Sequence, residues 1–441
     1  MLTRRNLLLS GSALLATAAA PPMRHRPGRF VHRVGTRFVA GGRRYHYAGS
    51  NMWYAAYLGA EAPFGSRDRL KRELDRLVAL GITNVRILGS SEQSPLRHSV
   101  SPAFRAQGRH YDETLLRGLD YALAEMGKRD MRAVIYLNNF WEWSGGMMTY
   151  LYWTNGGHYI DNGDPAHPWP EFPDFVARFY GSAPAVKLAW DYVRAVVGRT
   201  NRITGRPYAE DPAIMSWQLA NEPRPGGSDK IGRPNLPIFY RWVRDTARLI
   251  KSIDPHHMVS TGSEGLKGCI EDSACVVTEH EIPEIDYLTA HIWPLNWDWV
   301  DSKDLPGTWD SGSAKVRDYF ARHVGFASRI GKPLVIEEFG FPRDEGLYDP
   351  GSPTTFKDRF YGLIYDMVQQ NAGAGPVAGS NFWAWGGEGR SATPDHRFGL
   401  GANHFVGDPP HEPQGWYSVF DVDESTKAVI RAHASAMARL A

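Results

Sequence analysis

The chain has 441 residues, 42% of them hydrophobic and 22% charged, which suffices to bury a large core and is unlike a disordered composition. Its formal net charge is only +2, with no basic block after the first residues, so nothing in it asks for nucleic acid or a membrane surface. The 15 Trp and 20 Tyr are unusual, and Trp clustered with polar neighbours suits a cleft in which sugar rings lie flat on aromatic ones.

The first twenty residues are expected to stand apart from the fold. Arg4 and Arg5 precede an apolar, Ala-rich run from Leu7 to Ala20, too short to span a bilayer and ending in small residues. This resembles a twin-arginine export signal, with an ordinary Sec signal as the alternative. Either way the mature protein is expected to be secreted or periplasmic, with no membrane anchor after cleavage. One catalytic domain is expected over residues 28–441, working as a monomer.

Short apolar runs then alternate with longer helical stretches. The strand candidates are Tyr45–Gly49, Asn84–Leu88, Arg132–Leu137, Ile214–Leu219, Met258–Thr261, Tyr287–Ala290, Pro333–Glu337 and Ser380–Ala384. Between the first two, Leu70, Leu74, Leu77 and Leu80 recur at helical spacing, and Gly81 ends the run as a C-cap. Leu115–Met126 and Phe239–Ile253 read similarly. Strands and helices in this alternation predict a parallel sheet, and eight of them close most simply as a (β/α)8 TIM barrel with elaborated loops. An open doubly wound sheet would want a Gly-rich phosphate turn after its first strand, and Gly49-Ser50-Asn51 does not supply one. Cys269 and Cys275, close together in an exported chain, predict a small disulfide loop. His256-His257 follows Asp254-Pro255 in a turn and reads as solvated.

In a TIM barrel the active site forms at the C-terminal ends of the strands. Here every end is polar or aromatic. The first carries Trp53, the second Arg86, and the third Asn138, Asn139 and Trp141. The fourth carries Asn221, Glu222 and Arg224, the fifth Glu264, and the sixth His291 and Trp293. The seventh carries Glu337 and Glu338, and the eighth Trp383. Hydrolysis of a glycosidic bond needs two carboxyl groups flanking it, one protonated and one ionised. Glu222 and Glu338 stand on opposite sides of such a mouth, with Arg86 as counter-charge and Asn221 placed for a sugar 2-OH. Glu264 and Glu388 read as loop structure or hydroxyl contacts.

Trp217-Gln218-Leu219-Ala220-Asn221-Glu222-Pro223 resembles the acid/base signature of glycoside hydrolase family 5, and Ile336-Glu337-Glu338-Phe339-Gly340 resembles its nucleophile signature. Asn138-Asn139-Phe140-Trp141, the Arg224 that follows Pro223, and His291-Ile292-Trp293-Pro294-Leu295-Asn296-Trp297 are similar to the bacterial endo-β-1,4-mannanase branch. The resemblance implies retaining hydrolysis of β-mannan or manno-oligosaccharides without metal or cofactor. Glu222 would be acid/base and Glu338 nucleophile, Arg86 would hold the nucleophile, and Trp383 would lie under the sugar. His291 would hydrogen-bond near both glutamates, and Trp293 stands where the family often has Tyr. Asn139 is expected to bind substrate, and Trp141, Arg224, Trp53 and Glu92 are expected at subsites away from the cut. The alternatives are a cellulase of the same fold, an exo-β-mannosidase and a non-catalytic carbohydrate-binding barrel. Strand alternation predicts that Glu337 faces the surrounding packing while Glu338 faces the site. Glu222 is expected to be raised in pKa and Glu338 kept low by Arg86.

Overall fold

The structure, a computed structural model, describes residues 30–108 and 110–440, so the export segment expected over residues 1–20 lies outside them. Eight strands form one parallel sheet: β1 (Tyr47–Asn51), β2 (Asn84–Leu88), β3 (Arg132–Tyr136), β4 (Ile214–Gln218), β5 (Met258–Ser260), β6 (Leu288–Ile292), β7 (Leu334–Phe339) and β8 (Val377–Phe382). The hydrogen-bonded order is β5-β4-β3-β2-β1-β8-β7-β6, and a parallel bridge between Ser260 and Tyr287 joins β5 to β6. The (β/α)8 barrel is thus as expected, each strand lying within a few residues of its predicted position. Almost every strand residue is buried, because helices cover the outer face and side chains fill the inner one.

Local chemistry sets the helices. Ser66 caps the helix Arg67–Ala79 by accepting from Arg69 N, and Gly81 leaves it at φ +84°, a conformation that favours glycine. The helix Asp229–Ile253 starts well before the expected Phe239. Pro234 and Pro237 break the sequence pattern there, yet both are carried inside the helix, which Ser228 caps through Ile231 N. No helix among the described residues is long and apolar enough to cross a membrane.

The lower barrel interior is packed by Tyr47, Val134, Met215, Met258, Tyr287, Val335 and Ala378. A three-stranded antiparallel sheet (His32–Val34, Arg37–Ala40, Arg43–Arg44) plugs that end, where Phe38 meets Tyr287 edge-on at 5.3 Å between ring centroids. The opposite, C-terminal end is therefore the one left for a site.

Two expectations are corrected here. Cys269 and Cys275 are free, buried thiols rather than a disulfide. Cys275 and Glu279 stand one turn apart on the helix Ser273–Glu281, and the Cys269 thiol turns to Glu279 Oε1 at 3.3 Å. His257 is buried, not solvated: its Nδ1 lies 2.6 Å from Asp254 Oδ2 and its Nε2 2.9 Å from the Asp211 carbonyl.

Candidate active site

The strand ends open into a cleft of about 760 Å³ whose floor holds Asn221, Glu222, Glu338, Trp293 and Trp383. Glu222 follows β4 in a turn that puts it at φ +52°, a strained conformation for a residue with a side chain and one that recurs at functional sites. An oxygen of Glu222 and an oxygen of Glu338 lie within 4.8 Å of one another. That close approach is in keeping with a retaining pair, whose carboxyl groups stand roughly 5–5.5 Å apart, rather than with an inverting pair at roughly 6.5–9.5 Å.

Each carboxylate has its own donors. Arg86 makes a short ion pair from Nη1 to Glu338 Oε1, and its Nη2 donates to Asn221 Oδ1 at 2.7 Å. Its Nε donates to Gln218 Oε1 at 2.7 Å, and its plane lies 4.5 Å from the Tyr136 ring centroid. The guanidinium is fully buried, and these partners satisfy its fork in one orientation. The Trp141 indole nitrogen donates to Glu222 Oε2. His291 Nδ1 reaches both carboxylates, 2.6 Å from Glu222 Oε1 and 3.3 Å from Glu338 Oε2.

Burial alone would lower the pKa of His291, but the charge of Glu338 and the carboxylates of Glu222 and Glu337 raise it to about 10. The surrounding carboxylates thus favour the imidazolium form of the ring. The two catalytic carboxyls reverse the expected order. Burial pushes Glu338 up to about 7, with Glu222 and Glu337 adding to it and His291 and Arg86 opposing. Burial acts upward on Glu222 too, but the hydrogen bond and charge of His291, then Arg224 and Trp141, leave it lowered. Two carboxylates this close hold one proton jointly, so the pair titrates as a unit.

The expected alternation at Glu337 and Glu338 also fails, for a visible reason. In the β6–β7 ladder Ala290 pairs with Ile336 but His291 pairs with Glu338. Glu337 is the extra residue of a bulge, which turns both glutamates to the barrel axis. Glu338 enters the cleft, and Glu337 lies fully buried beneath it, with both oxygens accepting from Gln218 Nε2 at 2.6 Å.

Other expected residues divide into three groups. Asn221, Trp141, Arg224, Trp293 and Trp383 line the cleft. Trp293 packs edge-on against Trp383 and Tyr417, at 6.0 and 4.9 Å between ring centroids. A Cβ at Gly340 would stand 2.7 Å from its Cζ3, so this glycine is needed for close approach. Trp383 Nε1 is buried without a protein partner. Arg86, His291 and Asn139 are fully buried behind the cleft wall and act through other groups; Asn139 accepts from Asn221 Nδ2 at 3.2 Å. Trp53 and Glu92 are not subsite residues. Trp53 is fully buried among Tyr54, Tyr57, Trp143 and Phe405, and Glu92 accepts from Gly146 N and Tyr150 Oη.

Glu264, read from the sequence as loop structure or a hydroxyl contact, lines the cleft, and Trp169, His411 and Glu412 line it without having been expected there. Glu264 pairs bidentately with Arg224, at 2.6 and 2.7 Å. Trp169, 61% exposed, stacks on Trp141 with ring centroids 6.4 Å apart. His411 and Glu412, from the long segment after β8, form part of the opposite wall. Trp169 among the prolines of residues 165–173 was the available signal; His411 and Glu412 carry none.

Residues 28–441 match the model of a glycoside hydrolase family 5 β-mannosidase-like group. The crystal structure of a family 5 mannosidase from Rhizomucor miehei superimposes with a TM-score of 0.85 at 34% identity, covering 94% of this chain and 99% of that one. Among curated relatives, a putative mannan endo-1,4-β-mannosidase 9 of rice is 29% identical over 86% of each chain. Mannan endo-1,4-β-mannosidase 1 of Arabidopsis thaliana is 29% identical over 80% of this chain and 81% of its own. These relatives are plant and fungal rather than bacterial. With its paired carboxylates at the ends of β4 and β7 and a family match spanning its whole described length, the chain belongs to glycoside hydrolase family 5.

Proposed function

We propose that the protein hydrolyses internal β-1,4-mannosidic bonds of mannan, glucomannan or galactomannan, with retention, after export from the cytoplasm. The carrying observation is the close Glu222–Glu338 pair, each member held by different donors at the floor of an aromatic cleft. Named relatives that act on mannan support the sugar, as does a crystallised mannosidase relative in complex with mannosyl-fructose. The apolar, arginine-led N-terminus supports export.

The pair shares one proton that at rest favours Glu338; in the reacting form it sits on Glu222, which gives it to the glycosidic oxygen as the C1–O bond breaks. Glu338, oriented by Arg86, attacks C1 and forms a glycosyl-enzyme ester. Glu222 then takes a proton from water, whose oxygen attacks C1 and releases Glu338. The Asn221 amide stands beside the pair, within reach of a 2-OH, and the Trp383 ring offers an apolar face to the same sugar. Time courses on mannan and carboxymethyl-cellulose test the substrate, and proton NMR of the first-formed anomer tests retention. Equal activity on cellulose, or an inverted product, refutes the proposal. Export is tested by fractionating cells that carry the full-length chain with and without residues 1–20.

A second reading, exo action at a chain end, is favoured by the wall at His411 and Glu412. Burial raises Glu412 well above the carboxylate range, with Asp408, Glu338 and Glu222 adding to it, and its Oε2 has no protein partner. Burial likewise pushes nearby Glu142 up to about 7. Neutral carboxyls there would bind the hydroxyls of a terminal sugar where an internal one needs a path for the next ring. Release of mannose alone from mannohexaose would select this reading, and a ladder of oligomers the endo one.

A further inference from the structure

Beneath the two catalytic carboxylates lies a third, which the hydrolytic steps above do not use. Glu337 comes from the β7 bulge and is fully buried. Its Oε2 stands 3.4 Å from Arg86 Nε and 3.7 Å from His291 Nε2. The same two cations hold the reacting pair from above: Arg86 through Glu338, His291 through both carboxylates. Three buried carboxylates thus face two buried cations. Such a cluster is close to neutral only when it carries one proton, and an uncompensated buried charge is costly. The one-proton state is also the state the reaction needs.

We propose that Glu337 is a positioning residue that anchors Arg86 and His291 from the layer below and so sets how many protons the Glu222–Glu338 pair holds. This rests on the hydrolytic reading above. The geometry leaves Glu337 no direct part: it does not line the cleft. Its ties to Arg86 are doubled. Gln218 donates to Glu337 through Nε2 and accepts from Arg86 Nε through Oε1, so carboxylate, amide and guanidinium form one closed ring. Asn51 adds a strut, accepting from Arg86 Nη1 at 3.2 Å and donating to the Glu337 carbonyl at 2.9 Å.

The other ionisable groups that feel Glu337 are the phenols of Tyr47 and Tyr287. Burial raises both, with Glu337 among the further causes, so both stay neutral and neither competes for the cations. His291, Arg86, Glu338 and, through His291, Glu222 are what respond to its charge.

The sign follows. Glu337→Gln removes one negative charge and leaves the amide–Gln218 contact partly in place. Every remaining proton-binding group then holds its proton less tightly. Both limbs of the kcat/KM–pH profile should move to lower pH by about one unit, as expected for loss of a like charge at this range. The imidazole of His291, followed by nitrogen-15 NMR, should titrate at lower pH in the variant, while remaining cationic at pH 8 in the wild type. Glu337→Asp, which keeps the charge, should leave the limbs near their wild-type positions even where kcat falls.

Glu337→Gln with lowered melting temperature but unmoved limbs would overturn the proposal, leaving Glu337 a packing residue. So would a neutral His291 at pH 8 in the wild type, a measurement that holds even where the Gln variant does not fold. Wild-type protein inactive on every β-mannoside would instead sink the hydrolytic reading, and the His291 titration would still decide the role of Glu337.

Discussion

The indole nitrogen of Trp141 donates to Glu222 Oε2, the oxygen not taken by His291. Trp141 itself is wedged in place, with Phe172 stacked 6.1 Å away and the Arg224 guanidinium 4.9 Å from its ring centroid. A residue expected to carry a distant sugar is therefore the one that aims the acid/base. Trp141→Phe keeps the stack and removes the donor. A hydrogen bond to a charged group contributes about 1.5–3 kcal/mol, so kcat/KM should fall about 10- to 100-fold. The acid limb should also move up, because a group that holds Glu222 down is lost. An unchanged profile would show that the bond does not matter to catalysis.

The pair itself fixes a pH profile. Activity needs one proton on Glu222 and Glu338 together. Below the lowered Glu222 value both are protonated and no nucleophile remains. Above the Glu338 value, about 7, both are ionised and no acid remains. The kcat/KM profile should therefore be a bell with its acid limb below the ordinary carboxylate range and its alkaline limb near pH 7. An optimum on the alkaline side of 8 would contradict the proton count.

Removing either carboxylate separates their roles. Glu338→Ala should abolish turnover on every substrate. Glu222→Ala should lose about 10²- to 10⁴-fold on mannan, the usual worth of general acid–base catalysis. On an aryl mannoside whose leaving group needs no proton, it should still form the glycosyl-enzyme, visible as a burst of phenol. A burst from Glu338→Ala and none from Glu222→Ala would reverse the assignment.

Arg224 and Glu264 make a buried bidentate pair on the cleft wall, with side chains 11% and 2% exposed. Arg224→Met leaves Glu264 without its partner and should cost about 3–5 kcal/mol of stability. Pairing it with Glu264→Gln should recover part of that loss. Urea denaturation of the single and double variants measures both.

Cys269 and Cys275 should both react with a thiol reagent after unfolding without reductant, and neither in the native protein, where both are buried. A reading of zero after unfolding would restore the disulfide that their closeness in sequence predicts.

Residues near the chemistry were largely legible in the sequence. Eight apolar runs in alternation with helices determine a closed parallel barrel, since sheet and helix must each bury one face. The barrel then sends Glu222 and Glu338 to the same mouth, and their short motifs carry the family. What the sequence leaves open is whatever depends on distant segments meeting. Trp53 resembles a subsite Trp in its chain neighbours but is enclosed by Phe398 and Phe405, from beyond the last barrel strand. His411 and Glu412 become cleft wall only because the segment after β8 folds back over the mouth. Glu337 turns inward through a bulge, set by its pairing with β6 and invisible to period-two alternation. The order of the two carboxyl pKa values was likewise beyond the sequence. It depends on a few ångströms between His291, Arg86 and three carboxylates drawn from strands two, four, six and seven, and charge interactions in a dry interior change steeply over that range.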